Sequence, residues 1–161
     1  MRRLAAVPSR RAAFREHRRF AALSEPLEST GHLVYRRPAY LEKVTDWPQP
    51  ERLVVDGDRL VLTLAAEPPR VLDLASQPEL RTLVDSMRAP LAGDLDALQR
   101  SFTVRSGGAP ADWTLELAPR DPRAARMLRT IGIAGSGDEI RDIRLLQANG
   151  DEQWMQIGPS S

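Results

Sequence analysis

Residues 14–57 read FREHRRFAALSEPLESTGHLVYRRPAYLEKVTDWPQPERLVVDG. Around its start the chain alternates loosely. Ala12, Phe14, Glu16, Arg18 and Phe20 fall on one side of an extended backbone, and Ala13, Arg15, His17 and Arg19 on the other. With so many charges, residues 11–22 read as an exposed or edge strand. Residues 24–26 read as a turn. Residues 27–37 form a second strand, which Pro38 ends or bulges at an edge because it has no N–H for the ladder. Residues 40–45 form a third. The clearest hairpin spans 53–65, where Leu53-Val54-Val55 and Leu60-Val61-Leu62 flank Asp56-Gly57-Asp58.

Beyond this stretch, residues 71–74 read as a short strand, and then the period changes. Leu80, Leu83, Val84, Met87 and Leu91 recur at a spacing of three and four, which places them on one face of a helix over 77–91. A short helical turn follows at 94–99. Residues 101–105 and 113–117 read as strands around a Gly107-Gly108 turn, and 121–128 as a short helix with Pro122 in its first turn. Strands at 130–134, 139–147 and 152–157 close the chain, the last two joined through Asn149-Gly150-Asp151. Hairpin connections imply antiparallel pairing, and helices grouped in the middle imply an α+β fold. An antiparallel sheet of roughly ten strands must curl, and its inner face needs a cover. The expected architecture is a strongly curved antiparallel sheet, an incomplete β-barrel, covered on its concave face by short helices. The helix at 77–91 is the principal cover.

The length of 161 residues fits one domain, 1–161, with residues 1–10 expected to be partly disordered or a truncated helix. The formal net charge is +1, so there is no bulk field to recruit nucleic acid. Arginine supplies nearly all the positive charge and Lys43 is the single lysine. That usage reads as compositional bias, with anion recognition as the alternative. The absence of cysteine excludes disulfides, thiolate-ligated zinc and thiol catalysis. No apolar run reaches the roughly 20 residues that span a bilayer. The apolar segment near the start, Leu4–Val7, is shorter than the roughly 7–15 residues of a secretory leader.

The sequence offers little chemistry. His17 and His32 are the two histidines, and neither has a second histidine or a nucleophile elbow at useful spacing. Ala134-Gly135-Ser136-Gly137-Asp138 lacks the lysine of a phosphate loop and reads as a turn between strands. Asp56, Asp58, Asp138 and Glu139 read as turn carboxylates. No metal, cofactor or catalytic residue is expected. The apolar set is richer: Phe14, Leu33, Tyr35, Leu41, Leu53 and Val55 on strands, and Leu80, Val84 and Met87 on the helix. These residues either fill a core or line a cavity, and a sequence pattern does not distinguish a filled volume from an empty one. Arg36 and Arg37 at the strand end read, by themselves, as solvated edge residues.

The ordered set Phe14, Gly31, Leu33, Arg37, Pro38, Asp56 and Gly57 resembles the LolA-like family of periplasmic outer-membrane lipoprotein carriers. In that family a strand ending in F is followed by G-x-L-x-x-x-R-P and later by a strand running into D-G. The resemblance covers residues 14–62 best and is one of pattern afterwards. It implies a periplasmic carrier whose apolar cavity shields acyl chains of a lipoprotein, a free lipid or a glycolipid for transfer toward the outer membrane. It implies an inner-membrane export complex as a further partner, a monomer, and a leader removed ahead of the present start. It assigns the nine apolar residues to the lipid site and Arg37 to a lid latch, a guanidinium donating to the covering helices. Three departures stand out: Lys43 at an inward position, aromatic content of 5%, and a C-terminus without the family's further strand. They place the chain with a shorter, divergent LolA-related branch, whose members accompany lipid or polyene assembly enzymes. A sensor or regulatory domain of the same fold for lipidated ligands is the alternative. An enzyme acting on acyl chains would need a nucleophile and base that the sequence does not offer.

Overall fold

The computed structural model describes residues 9–20, 25–37 and 39–159. The expectations placed on residues 1–8 and on Pro38 lie outside the described residues. Eleven strands form a single antiparallel sheet. They are β1 (Ser9–Arg19), β2 (Leu27–Arg36), β3 (Tyr40–Trp47), β4 (Glu51–Asp56), β5 (Arg59–Leu64), β6 (Arg70–Asp73), β7 (Phe102–Ala109), β8 (Asp112–Pro119), β9 (Leu128–Ser136), β10 (Glu139–Gln147) and β11 (Glu152–Ile157). Between β6 and β7 lie a 3₁₀ turn (Leu74–Ser76) and two helices, α1 (Pro78–Ala92) and α2 (Leu95–Ser101). A single turn of helix, α3 (Pro122–Ala125), precedes β9.

The strand order is β6-β5-β4-β3-β2-β1-β11-β10-β9-β8-β7. Two meanders meet at the centre, where β1 pairs antiparallel with β11. The two edges of the sheet, β6 and β7, do not pair with each other, so the sheet is an unclosed, curved half-barrel. The same edges are joined along the chain by the segment 74–101. A connection from edge to edge has to cross the open side, and this is what lays α1 and α2 over the concave face.

The inner face is read from registers. Ala12, Leu33, Lys43, Leu53 and Leu62 face one another across β1 to β5. On the other half, Leu117 and Ile131 form one such pair, and Leu115, Ile133, Ile143 and Met155 form one row. All of these except Ala12 and Lys43 join Val84, Ala89, Leu91 and Leu98 of the helices in one hydrophobic cluster. The core is therefore the space between the concave sheet and α1–α2, as the alternation of apolar residues predicts.

Several expectations are corrected. The first strand is not an edge strand: β1 occupies the centre of the sheet, hydrogen-bonded on both sides. Its inward residues include two charges, Arg10 and Glu16; the charges within 11–22, Glu16 among them, made the strand look solvated, and Ser9 and Arg10, expected in a partly disordered or helical start, already belong to β1. The Gly107-Gly108 pair lies within β7, and the turn falls two residues later, between Ala109 and Asp112. Gly108 has φ of +80°, and a Cβ there would stand 2.1 Å from the Asp112 carbonyl oxygen. The glycine pair thus marks close backbone approach rather than a turn. The helix expected over 121–128 is only α3, because Leu128 already enters β9 and is 2% exposed.

Glu16 is fully buried, and its environment explains why Lys43 stands at an inward position. Lys43 Nζ donates to Glu16 Oε2 at 2.6 Å, and Arg18 Nε to Oε1 at 2.6 Å. On its way the lysine crosses the face of Phe14, 5.4 Å from the ring centroid. Burial pushes the Glu16 carboxyl up, but Lys43 and Arg18 more than offset it and hold it below the usual carboxylate range. Its contribution to stability is therefore present above the ordinary carboxylate pKa and is lost as pH falls through the depressed value. Removing one partner of a buried pair costs about 3–5 kcal/mol. Lys43→Met should lower unfolding free energy at neutral pH by an amount of this order in urea titration, and Glu16→Gln added to it should recover most of the loss. The deficit of Lys43→Met should shrink in acid, where Glu16 takes up a proton. A deficit that stays constant between pH 7 and pH 4 would contradict the pairing.

Candidate functional site

The structure brings the nine sequence-predicted apolar residues together. Phe14, Leu33, Tyr35, Leu41 and Val55 are buried on the concave face, Val84 is buried on α1, and Leu53, Leu80 and Met87 pack against them half-buried. They converge on the interface between α1 and the half of the sheet formed by β1 to β5.

α1 forms there because its apolar residues fall on one stripe and its ends are well stopped. Pro78 occupies the first turn, where a missing N–H costs nothing. Gly93, at φ 69°, ends the helix in the left-handed conformation. Its N–H reaches Pro90 O at 3.0 Å and Asp94 N–H reaches Ala89 O at 2.9 Å, which closes a Schellman motif. Asp94 then caps α2, accepting from Ala97 N–H at 3.0 Å. The junction between α1 and α2 is thus fixed by backbone geometry.

What ties α1 to the sheet is polar. Arg88, nearly buried, donates from Nη1 to Ala39 O at 3.1 Å and also to Gly57 O, and from Nη2 to Asp85 Oδ1 at 3.0 Å. Arg81 Nη1 meets Asp58 Oδ1 at 3.1 Å. Ala39 belongs to the β2–β3 turn, and Gly57 and Asp58 form the β4–β5 turn. One helix face is thereby pinned to the tips of two hairpins. Arg37, the sequence-predicted latch, is exposed just beyond β2, in the same β2–β3 turn that receives Arg88. The family resemblance pointed to Arg37 alone, and sequence reasoning missed the bridging pair Arg81 and Arg88 on the helix. The signal was available: Arg81, Asp85 and Arg88 stand at spacings of four and three, on one helical face.

Between α1 and the sheet the described residues enclose a small cavity of about 20 Å³, lined among others by Arg10, Ala12, Leu33, Tyr35, Leu91 and Ile157. That admits about one water molecule and falls far short of the roughly 300 Å³ of a small ligand pocket. Among the described residues, α1 covers the concave face and the apolar side chains between them are buried or half-buried. A larger depression, about 560 Å³, lies on the opposite, convex face. It arises where Gly132 and Ala134 lack bulk between taller neighbours such as Glu116, Arg144 and Trp154. Its walls are mixed and open, with Arg144 stacked 4.5 Å over the Trp154 ring and Trp154 Nε1 donating to Asp142 at 2.8 Å. The convergence of apolar side chains is on the concave face, and the candidate site is there.

The sequence matches, over residues 1–160, the family described as outer membrane lipoprotein carrier protein LolA-like. The chain belongs to this family. A comparison with curated proteins gives no match. Among solved structures, a LolA superfamily protein from Nitrosomonas europaea is similar at a TM-score of 0.52 and 9% identity, covering 99% of this chain and 89% of its own. A DUF1329 family protein from Desulfovibrio piger is similar at 0.53 and 10%, covering 99% and 87%. At such identities the likeness shows the fold, a LolA-like half-barrel with its helical cover. Among the described residues no helix is long and apolar enough to cross a membrane, and no group of three or more potential metal ligands is assembled. His17 lies against Trp154, with ring centroids 5.6 Å apart, and His32 Nδ1 is 4.0 Å from Asp46.

If Arg88 holds α1 down, Arg88→Leu should loosen that helix selectively. A hydrogen bond to a charged group is worth about 1.5–3 kcal/mol, so a stability loss of about 2–4 kcal/mol is expected. Amide exchange should accelerate over residues 78–92 while β9 and β10 keep their protection. Uniform acceleration across the sheet would show that the residue supports the whole core instead.

Proposed function

We propose that this protein is a periplasmic carrier that shields the acyl chains of a lipoprotein or lipid between its concave sheet and α1, for transfer toward the outer membrane. It acts by binding alone, without catalysis. The observation that carries the reading is the division of labour on α1. Its apolar stripe seals an apolar concave face, while its attachment at the hairpin tips consists of a few polar contacts that can open without unfolding the sheet. Membership of the lipoprotein-carrier family supports the same reading.

The magnitudes are compatible. Each buried CH₂ contributes about 0.8 kcal/mol, so a chain of about a dozen methylenes gains on the order of 10 kcal/mol. Releasing the contacts of Arg88 and Arg81 costs a fraction of that, about 2–5 kcal/mol, since the charged bonds carry most of it. An entering chain also covers the apolar surfaces of α1 and the sheet that would otherwise meet water. The surplus, about 5–8 kcal/mol, corresponds to Kd values from about 0.2 mM down to about 1 μM. Arg37, in the turn that anchors Arg88, contributes to closure in this reading, as the family resemblance implies.

Protein purified from cells should carry lipid, visible by native mass spectrometry, and the delipidated protein should bind a fluorescent fatty acid with a Kd between about 1 μM and about 0.2 mM. Arg37→Leu should leave the fold intact and speed release of that probe, whereas Arg36→Leu should do little. No co-purified lipid and no binding of fatty acid or lipopeptide would overturn the carrier reading. Ester hydrolysis by the purified protein, lost in His17→Ala or His32→Ala, would replace it with an enzyme.

A further inference from the structure

We propose that the small cavity under α1 is a head-group subsite for an amphiphile whose head is an oxyanion, a carboxylate or phosphate monoester, held by Arg10 and Tyr35. This rests on the carrier reading and names the class of its cargo. Arg10 lies on β1, the central strand, and is 5% exposed. Its Nε and Nη2 atoms and the Tyr35 hydroxyl oxygen are buried and meet no hydrogen-bond partner among the described residues. All three belong to residues that line the same cavity. The other charges turned toward the core have partners: Glu16 has Lys43 and Arg18, and Arg88 has two carbonyls and Asp85. A buried guanidinium edge without an acceptor is costly, and Arg10 is the residue that bears this cost.

The chemistry of the unused donors defines what fits. Nε–H and Nη2–H form one edge of the guanidinium fork, two parallel donors matched to two oxygens of a carboxylate or phosphate. Burial pushes the Tyr35 hydroxyl up, so at neutral pH it remains a neutral O–H able to donate a third bond. The charges that act on Tyr35 are Arg37, Arg10 and Arg88, opposed by Asp94. Three cations against one carboxylate make the locality receptive to an anion. The closed volume, about 20 Å³, holds one water, so a carboxylate or phosphate enters only as α1 gives way. The head would therefore anchor at β1, and the chain would run where Leu91, in the last turn of α1, now stands. Head-group capture and lid displacement would then be one event.

The test titrates the full chain by calorimetry with laurate, dodecyl phosphate and dodecanol, which share one alkyl chain, and with acetate and inorganic phosphate. Laurate and dodecyl phosphate should bind at least about ten-fold tighter than dodecanol. Arg10→Met should reduce that preference to about two-fold or less while dodecanol binding persists, and Tyr35→Phe should weaken the two acids by about three- to ten-fold. Should Arg10→Met fail to fold, the ligand series on the unaltered protein and Tyr35→Phe still decide. Equal affinity for laurate and dodecanol overturns the head-group subsite and leaves the carrier reading standing, with a bound water as the partner of Arg10. Acetate or phosphate binding as tightly as laurate overturns the amphiphile and marks a free-anion site. Failure of all three alkyl compounds to bind overturns the carrier reading itself.

Discussion

The pairing of the first strand with the last at the centre of the sheet is the constraint on which the rest depends. Because β1 meets β11 in the middle, the two meanders grow outward and end at β6 and β7, which are neighbours along the chain but lie at opposite edges. The segment between them has to span the mouth of the half-barrel, and it does so as α1 and α2. The cover is thus a consequence of strand order. Its attachment is a separate matter, since a crossing helix needs contacts of its own to stay closed. Here these are an apolar stripe against the concave face and two arginines at the hairpin tips.

The inner face is not uniformly apolar, and the exceptions divide by how they are satisfied. Glu16 and Lys43 form a closed pair that fixes β1 against β3 across the Phe14 ring, at a place where Gly31 leaves room for that ring. A Cβ on Gly31 would lie 1.9 Å from the Val44 carbonyl oxygen and 2.9 Å from Phe14 Cε1. Arg88 is satisfied by backbone carbonyls that belong to turns. Among the described residues, Arg10 Nε and Nη2 and the Tyr35 hydroxyl beside them are left without acceptors or donors. A fold that buries one guanidinium edge without an acceptor trades stability for a capability, and the physical complement of that edge is an oxyanion.

Much of this was legible in the sequence. Period-two alternation located the strands, the three-and-four spacing of Leu80, Val84, Met87 and Leu91 located α1, and Asp56-Gly57-Asp58 located a tight hairpin whose Gly57 has φ of 61°. The G-x-L-x-x-x-R-P pattern pointed to the family. What was not legible depended on pairing between distant residues. Glu16 made β1 look solvated, because the lysine that neutralises it lies 27 positions away. Arg88 showed its helical partner Asp85 in the spacing, but its acceptors on the sheet are main-chain oxygens, which carry no sequence signature. The state of the cavity was beyond any pattern, since the same apolar residues describe a filled interior and a space awaiting a chain.

In the proposed carrier, α1 is a lid which an acyl chain displaces while the sheet stays intact. The chain has no cysteine, so two can be introduced for spin labels without background. Thr82 on α1 bonds only within its own helix, to Pro78 O, among the described contacts, and Arg141 on β10 is exposed. The distance between labels at these two positions, measured by pulsed electron paramagnetic resonance with and without saturating laurate, reports the lid directly. The account predicts a longer and broader distribution when laurate is bound. An unchanged distribution with laurate demonstrably bound would contradict it.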